Sequence, residues 1–413
     1  MNLKNMLRLV SRYLVTFFLA VPILISSILS LCFIQYTDRS QTVPYFLIAV
    51  SFFLICMEYF YNKKNKSIFP KIEISIFDEK ILIIAGFVIF LFCLADLYYH
   101  GMPFFEKDVN AYGSFTYFQH HLRHFSSLVW LLAAFGLFIK NKFIKIIFLI
   151  SSLAFPVLFL DRNRLLMSFF SISILFLFRF IVIKNKIFYK IAISAVLLGI
   201  ILMFGYLGKI RSGQNNFLNV LEKSRAEQVQ FNQGYTKISS SCIIPDKIPF
   251  KFDISRLHPT TLWGFSYVSI PVYNLATQYE CQISNIQPLL NQIVPYYDRP
   301  NLNKTIPFVA PLLNVGTELL PFYLAGGLVL SFSVIILTAL IIFLSSKLFI
   351  RTKNIFSFLF LTRILYCALF FNFAPQMYIF TTLAIGLVLL GLKGSSNFLK
   401  YFSYLKLKSE VNP

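Results

Sequence analysis

Two stretches of this chain limit what it can fold into. Ile81–Tyr99 reads ILIIAGFVIFLFCLADLYY with a single charge, and residues 322–345 carry no charge at all. A helix needs about 20 apolar residues to cross the hydrocarbon core of a bilayer, and both stretches supply that length. The remaining sequence has the same character, with 57% hydrophobic residues, 13% charged residues and 49 Phe. A soluble domain has no interior large enough for so much apolar surface. The period-two alternation of a transmembrane barrel is absent. The chain therefore reads as an all-α, polytopic helical membrane protein.

About ten spans, in an expected range of 10–12, follow from the hydropathy. They cover residues 13–34, 43–61, 81–99, 125–140, 145–160, 165–183, 188–207, 322–345, 355–373 and 376–392. The formal charge of +21 is distributed along them unevenly. With the N-terminus inside, Lys4, Arg8 and Arg12 fall on the inner side, as do Lys63, Lys64, Lys66, Lys71 and Lys80. Lys140, Lys142, Lys145, Lys184, Lys186, Lys190, Lys347, Arg351, Lys353 and the tail lysines Lys393, Lys400, Lys406 and Lys408 join them. The short outer segments hold Arg39, Lys107, Arg123, Arg162 and Arg164. This asymmetry is the positive-inside pattern, and it predicts a multi-pass inner-membrane protein with both termini cytoplasmic. The excess charge is thus a topology signal, with no nucleic-acid motif beside it. The first apolar run has no small-residue cleavage site and reads as an uncleaved span.

The expected organisation is an N-terminal membrane bundle (1–207), a large outer loop with short helices (208–321), C-terminal spans (322–392) and a cytoplasmic tail (393–413). A loop of that length is usually functional. Its stretch TLWGFSYVSIPVYNLATQY is too polar to span, yet aromatic enough to lie on the membrane interface or dip into it. Cys32, Cys56, Cys93 and Cys367 lie in or beside spans, where Cys acts as a small hydrophobe. Cys242 and Cys281 share the outer loop, whose compartment permits a disulfide between them.

The sharpest local feature is the hairpin tip at residues 161–164, DRNR, between two apolar runs. One reading is a salt-bridged turn in which Asp161 neutralises an arginine. The reading carried forward is an anion site formed by Arg162 and Arg164, because positive charge is disfavoured on the outer side and guanidinium binds phosphate bidentately. Lys209 and Arg211 in GYLGKIRSG leave span seven at the same depth, among glycines that admit a ligand to the backbone. Arg256 and His258 stand together in SRLHPTTLWG. Glu318 opens span eight in an otherwise uncharged window, and Asp96 lies near the outer end of span three. Charges at membrane depth are functional by default, and a poorly hydrated carboxylate is well suited to act as a base. His258 and Glu318 are the catalytic candidates. Arg363, inside FLFLTRILYCALFF, is expected to face the bundle interior, paired with an acid or lining a cavity. His120 and His124 share a helical face, but no Cys or carboxylate completes a metal set, so no metal is expected. Trp263, Tyr267 and Tyr273 in the outer loop are of a type that stacks on sugar rings or at the membrane interface. No glycine-rich nucleotide loop occurs in the inner segments, so no nucleotide cofactor is expected.

Taken together, the GMP at 101–103, the DRNR hairpin, GKIRSG, SYVSIPVYNLA and LLNVGTELLPFYLAGG resemble the O-antigen polymerase (oligosaccharide repeat unit polymerase, Wzy-type) family. The resemblance extends over nearly the whole chain. It departs at YLAGG, where relatives commonly carry an acidic residue and Gly. It implies a GT-C-like membrane glycosyltransferase acting at the periplasmic face of the inner membrane in lipopolysaccharide biosynthesis. Such an enzyme joins undecaprenyl-pyrophosphate-linked repeat units and works beside a flippase and a chain-length regulator. On that reading Arg162, Arg164, Lys209, Arg211 and Arg256 hold the pyrophosphate, which leaves without nucleotide or other cofactor. His258 or Glu318 activates the acceptor hydroxyl, and Trp263, Tyr267 and Tyr273 contact the glycan. The alternatives are an O-antigen ligase, which shares the plan, and a lipid-linked oligosaccharide flippase or transporter.

Overall fold

A computed structural model describes residues 9–64, 70, 72, 74–101, 117–159, 161–180, 248–253, 259–284, 286, 288–290, 317–372 and 379–411. Among these residues the chain is helical, and the sole β contact is an isolated antiparallel bridge between Ile34 and Phe250. A π-turn, Thr16–Ala20, runs into α1 (Val21–Phe33), followed by α2 (Thr42–Lys64) and α3 (Ile76–His100). Next come α4 (Tyr117–Ser126), α5 (Trp130–Phe138), α6 (Lys142–Leu158) and α7 (Arg162–Phe180). The last four described helices are α8 (Pro259–Glu280), α9 (Leu319–Thr352), α10 (Ile355–Leu369) and α11 (Ile379–Val411). Five helical stretches are long and apolar enough to cross a membrane: Thr16–Phe33, Thr42–Lys63, Ile76–Tyr99, Leu319–Thr352 and Thr381–Tyr404. Shorter apolar helices cover Leu122–Phe138, Asn163–Leu175 and Ile355–Leu369. The span expected at 188–207 lies outside the described residues.

Polar residues set the helix boundaries. Ser75 and Asp78 form a reciprocal capping box, with Asp78 N–H donating to Ser75 Oγ at 3.1 Å and Ser75 N–H to Asp78 Oδ2 at 2.9 Å. Asn141 Oδ1 accepts the N–H groups of Phe143 and Ile144 to start α6. Asn354 caps α10 by accepting from Ser357 N–H at 2.8 Å, directly after Lys353 ends α9 in a left-handed conformation. The π-turn has a similar local cause. Glu58 on α2 accepts Val15 N–H at 3.0 Å and Thr16 N–H at 2.6 Å, so a side chain enters the helix ladder at that point. Gly86 is required by close packing of α3 on α6: a Cβ there would stand 2.2 Å from the Phe148 ring.

The segment expected as an outer loop is not separate from the bundle where it is described. Gln35 N–H donates to Pro249 O at 2.7 Å and Lys251 N–H to Phe33 O at 2.9 Å, which seats residues 248–253 on the end of α1. The α8 helix corrects the expectation of an interfacial segment. From Ser269 to Gln278 it is almost wholly buried, with Ile270, Val272, Asn274, Ala276 and Gln278 at 0% exposure, and it packs on α1, α2 and α9. Burial on all sides makes it a core helix rather than a surface one. Ser30 Oγ donates to its Ser269 O at 2.9 Å.

The α9 helix is broken near its start. Gly326 and Gly327 leave helical geometry, and Gly327 takes φ 64°, ψ −158°, a conformation reserved in practice for glycine. YLAGG thus separates a short buried turn, Leu319–Leu324, from the long remainder of the helix. Ser284 Oγ donates to the Leu324 carbonyl at 3.2 Å, satisfying an acceptor near the break. At the opposite end of the bundle, Asp78 Oδ1 accepts from Ser396 Oγ at 2.7 Å and from Lys393 Nζ at 3.3 Å, tying α3 to α11.

Candidate functional site

The turn between α6 and α7 is built around one carboxylate. Asp161 Oδ1 accepts the N–H groups of Asn163 and Arg164, both at 3.1 Å, and so caps α7. Its other oxygen, Oδ2, stands 2.9 Å from Arg164 Nε. Arg164 is only 6% exposed and points inward, not out of the tip. Its Nη1 donates to Ser126 Oγ at 2.8 Å and lies 3.5 Å from Asp96 Oδ2, while Nη2 donates to the Arg123 carbonyl at 2.9 Å. Ser126 Oγ donates in turn to Asp96 Oδ2, and the guanidinium lies 4.9 Å from the Phe159 ring centroid. One arginine thus joins α3, α4 and α7 through two carboxylates, a hydroxyl and a carbonyl. This corrects the expectation of an open anion grip at Arg164, whose donors are turned toward protein acceptors. Arg162 begins α7, but its side chain lies outside the described residues.

A second buried cation stands on α10. Arg363 is 7% exposed, with its guanidinium 5.9 Å from the centroid of the Tyr366 ring one turn later. Tyr366 is fully buried and donates its hydroxyl to Asn163 Oδ1 at 2.5 Å, so the two arginine clusters meet across the α7–α10 contact. Glu318, 2% exposed, precedes α9, and its N–H donates to Phe371 O at 2.8 Å. The Cys367 thiol lies within electrostatic reach of both Arg363 and Glu318. The sequence expectation that Arg363 faces the interior therefore holds, and an acidic residue shares its surroundings. Next along the chain, Asn372 Nδ2 donates to Ser26 Oγ on α1 at 2.7 Å. Ser26, Ser30, Glu318, Arg363 and Asn372 are the buried members of a polar layer, and exposed Asn163 reaches it through Tyr366.

A third polar group lies at the end of α1. Tyr36 packs edge-on against Tyr273 at 5.3 Å, bonds Ser30 through its hydroxyl, and is held protonated by burial, which pushes its phenol above the ordinary range. Tyr273 is 4% exposed, so its ring serves the core; this corrects its assignment to an open glycan surface. Nearby, Arg39 lies 5.8 Å from the Tyr279 ring, and Tyr279 packs on Tyr323 at 6.2 Å. Trp263 and Tyr267 belong to α8, with side chains outside the described residues. Lys209, Arg211, Cys242, Arg256 and His258 also lie outside them. Cys281 is disulfide-bonded, whereas Cys32, Cys56, Cys93 and Cys367 are free thiols.

Sequence reasoning missed Ser26, Asn163, Thr317 and Asn372. The i,i+4 spacing of Ser26 and Ser30 within α1 was the available signal for a polar stripe. Among the described residues, no group of three His, Cys, Asp or Glu side chains could hold a metal ion. Chemically, the layer offers a fixed cation, a buried carboxylate and amide and hydroxyl groups within one bundle. No family model, curated protein or solved structure matches the chain.

Proposed function

We propose that this chain is a membrane glycosyltransferase of the O-antigen polymerase type, joining glycan repeat units carried on undecaprenyl pyrophosphate at the periplasmic face of the inner membrane. The observation that carries this reading is that buried Arg363 and buried Glu318 both lie within electrostatic reach of Cys367, beside a tip pinned by Arg164. Charged groups kept in an apolar bundle are costly, which favours a catalytic use for them.

In the proposed reaction the acceptor hydroxyl gives its proton to Glu318, and its oxygen forms a bond to the donor anomeric carbon. The bond from that carbon to the pyrophosphate oxygen breaks, and the electron pair leaves with the lipid pyrophosphate. Fixed cations facing the developing negative charge lower the barrier, often by the largest single contribution. Arg363 fills that role within the layer. Arg162, Lys209, Arg211 and Arg256 remain the proposed pyrophosphate ligands, with His258 as the other base. Arg164 acts through Asp161 and Asn163, holding the tip in place.

The test is the lipopolysaccharide of a deletion strain, resolved by electrophoresis and complemented with wild-type protein or Glu318→Gln. A polymerase predicts single repeat units in the deletion and the Gln strain, and a ladder with wild type. Long chains retained on the carrier would favour a ligase, absence of both products a flippase, and normal long-chain lipopolysaccharide would end the proposal.

A further inference from the structure

We propose that Asn372 Oδ1 and Thr317 Oγ1 form a buried subsite for a sugar hydroxyl, adjacent to Glu318; this rests on the glycosyltransferase reading. Ser26 Oγ donates to Ile23 O at 3.0 Å, so toward Asn372 it can only accept. The amide nitrogen must therefore be the end that faces Ser26, as observed at 2.7 Å. That leaves Asn372 Oδ1 as an acceptor, and among the described residues it has no hydrogen-bond partner although the residue is 0% exposed. Thr317 Oγ1 is likewise without a partner at 1% exposure. Buried polar atoms are nearly always paired, so two orphans at one place point to a ligand. The Glu318 N–H to Phe371 O bond at 2.8 Å clamps the two segments, making Thr317 and Asn372 near neighbours on either side of it.

The charges around the subsite select its ligand class. Asn372 Oδ1 is an acceptor and Glu318 a carboxylate, so an anion placed between them would meet like polarity from both. A metal cation is disfavoured by Arg363, which shares the layer. A neutral hydroxyl fits: it donates to Asn372 and exchanges a hydrogen bond with Thr317, whose hydroxyl can donate or accept. A pyranose presents hydroxyls on adjacent carbons. One held by Asn372 and Thr317 brings its neighbour to the segment that carries Glu318, the proposed base.

The experiment uses full-length protein in lipid nanodiscs, supplied with lipid-linked repeat units extracted from the deletion strain. Thr317→Val keeps the shape and deletes the hydroxyl, and Thr317→Ser restores it. Thr317→Val should raise KM for the lipid-linked repeat about tenfold with little change in kcat, while Thr317→Ser stays within about twofold of wild type. Because the deleted hydroxyl is an orphan in the ligand-free protein, Thr317→Val should also melt no lower than wild type. An unchanged KM, or a melting point lowered by Thr317→Val, overturns the subsite; a bound structural water gives both results together. If wild-type protein makes no polymer, the glycosyltransferase reading fails instead, and the melting comparison alone then decides whether the hydroxyl is an orphan.

Discussion

Removing the Arg164 guanidinium should open the contact between α3, α4 and α7. The structure places Arg164 at 6% exposure and Asp96 at 1%, with 3.5 Å between Nη1 and Oδ2. Arg164→Ala leaves the Asp96 carboxylate buried without the arginine, whereas Asp161, 24% exposed, can be hydrated. Breaking a buried pair from one side costs about 3–5 kcal/mol, which corresponds to a hundredfold to a few thousandfold in a local opening equilibrium. Cys93 is a built-in reporter: it is fully buried on α3, and its thiol bonds the Ser126 carbonyl at 3.7 Å. With Cys32, Cys56 and Cys367 replaced by alanine, its alkylation rate in detergent measures that opening. The rate should rise about a hundredfold or more in Arg164→Ala. The double variant Asp96→Asn, Arg164→Ala should recover most of the protection, because no charge is then stranded. A rate in Arg164→Ala within about threefold of wild type would refute the pinning of the tip by buried charge.

Three further outcomes are expected. Gly327→Ala should destabilise the protein by about 1–3 kcal/mol through backbone strain alone, since a Cβ there meets nothing within 4 Å. Gly391→Ala in α11 is the matched control, equally unobstructed but helical, and should be neutral or stabilising by up to about 1 kcal/mol in the same thermal melt. Tyr366→Phe should cost about 1 kcal/mol by removing the hydroxyl bond to Asn163, read as a lower melting temperature with no loss of expression. Cys281→Ser should abolish a mobility shift between non-reducing and reducing gels, as should Cys242→Ser, and closing a loop of about 40 residues makes that bridge worth about 4 kcal/mol; a freely alkylated Cys242 in the native protein would refute the pairing.

Much of the bundle was legible because hydropathy is a local signal. The expected spans at 13–34 and 43–61 differ from Thr16–Phe33 and Thr42–Lys63 by a few residues at their ends, while the one expected at 355–373 is the shorter apolar helix Ile355–Leu369. The salt bridge from Asp161 to an arginine of the tip was legible in the same way, whereas its capping of α7 was not read, although such a cap acts only two and three residues ahead. The other partners of Arg164 were not legible. Asp96 lies 68 residues earlier and Ser126 38 residues earlier, and nothing in residues 161–164 encodes their arrival. The α8 helix was misjudged for a related reason. Asn274, Thr277 and Gln278 lower its hydropathy, but polar residues are compatible with a core position once neighbouring helices supply partners, as Thr277 does to Tyr273 O at 3.0 Å.

The two arginine clusters also show why charge alone could not identify the site. Asp96 and Asp161 together place two carboxylates on one guanidinium, and Ser126 and the Arg123 carbonyl take further donors of Arg164. A cation so completely engaged has little left with which to bind a phosphate, since each new contact would displace an existing one. Around Asn372 and Thr317 the balance is reversed: polar atoms are buried, their segments are clamped by backbone, and among the described residues Asn372 Oδ1 and Thr317 Oγ1 have no partner. A rigid wall needs saturated groups, and a binding subsite needs unsaturated ones held still. The distinction depends on counting donors and acceptors in three dimensions, which is why the charged tip dominated the sequence while a neutral Asn and Thr carry the proposed contact with substrate.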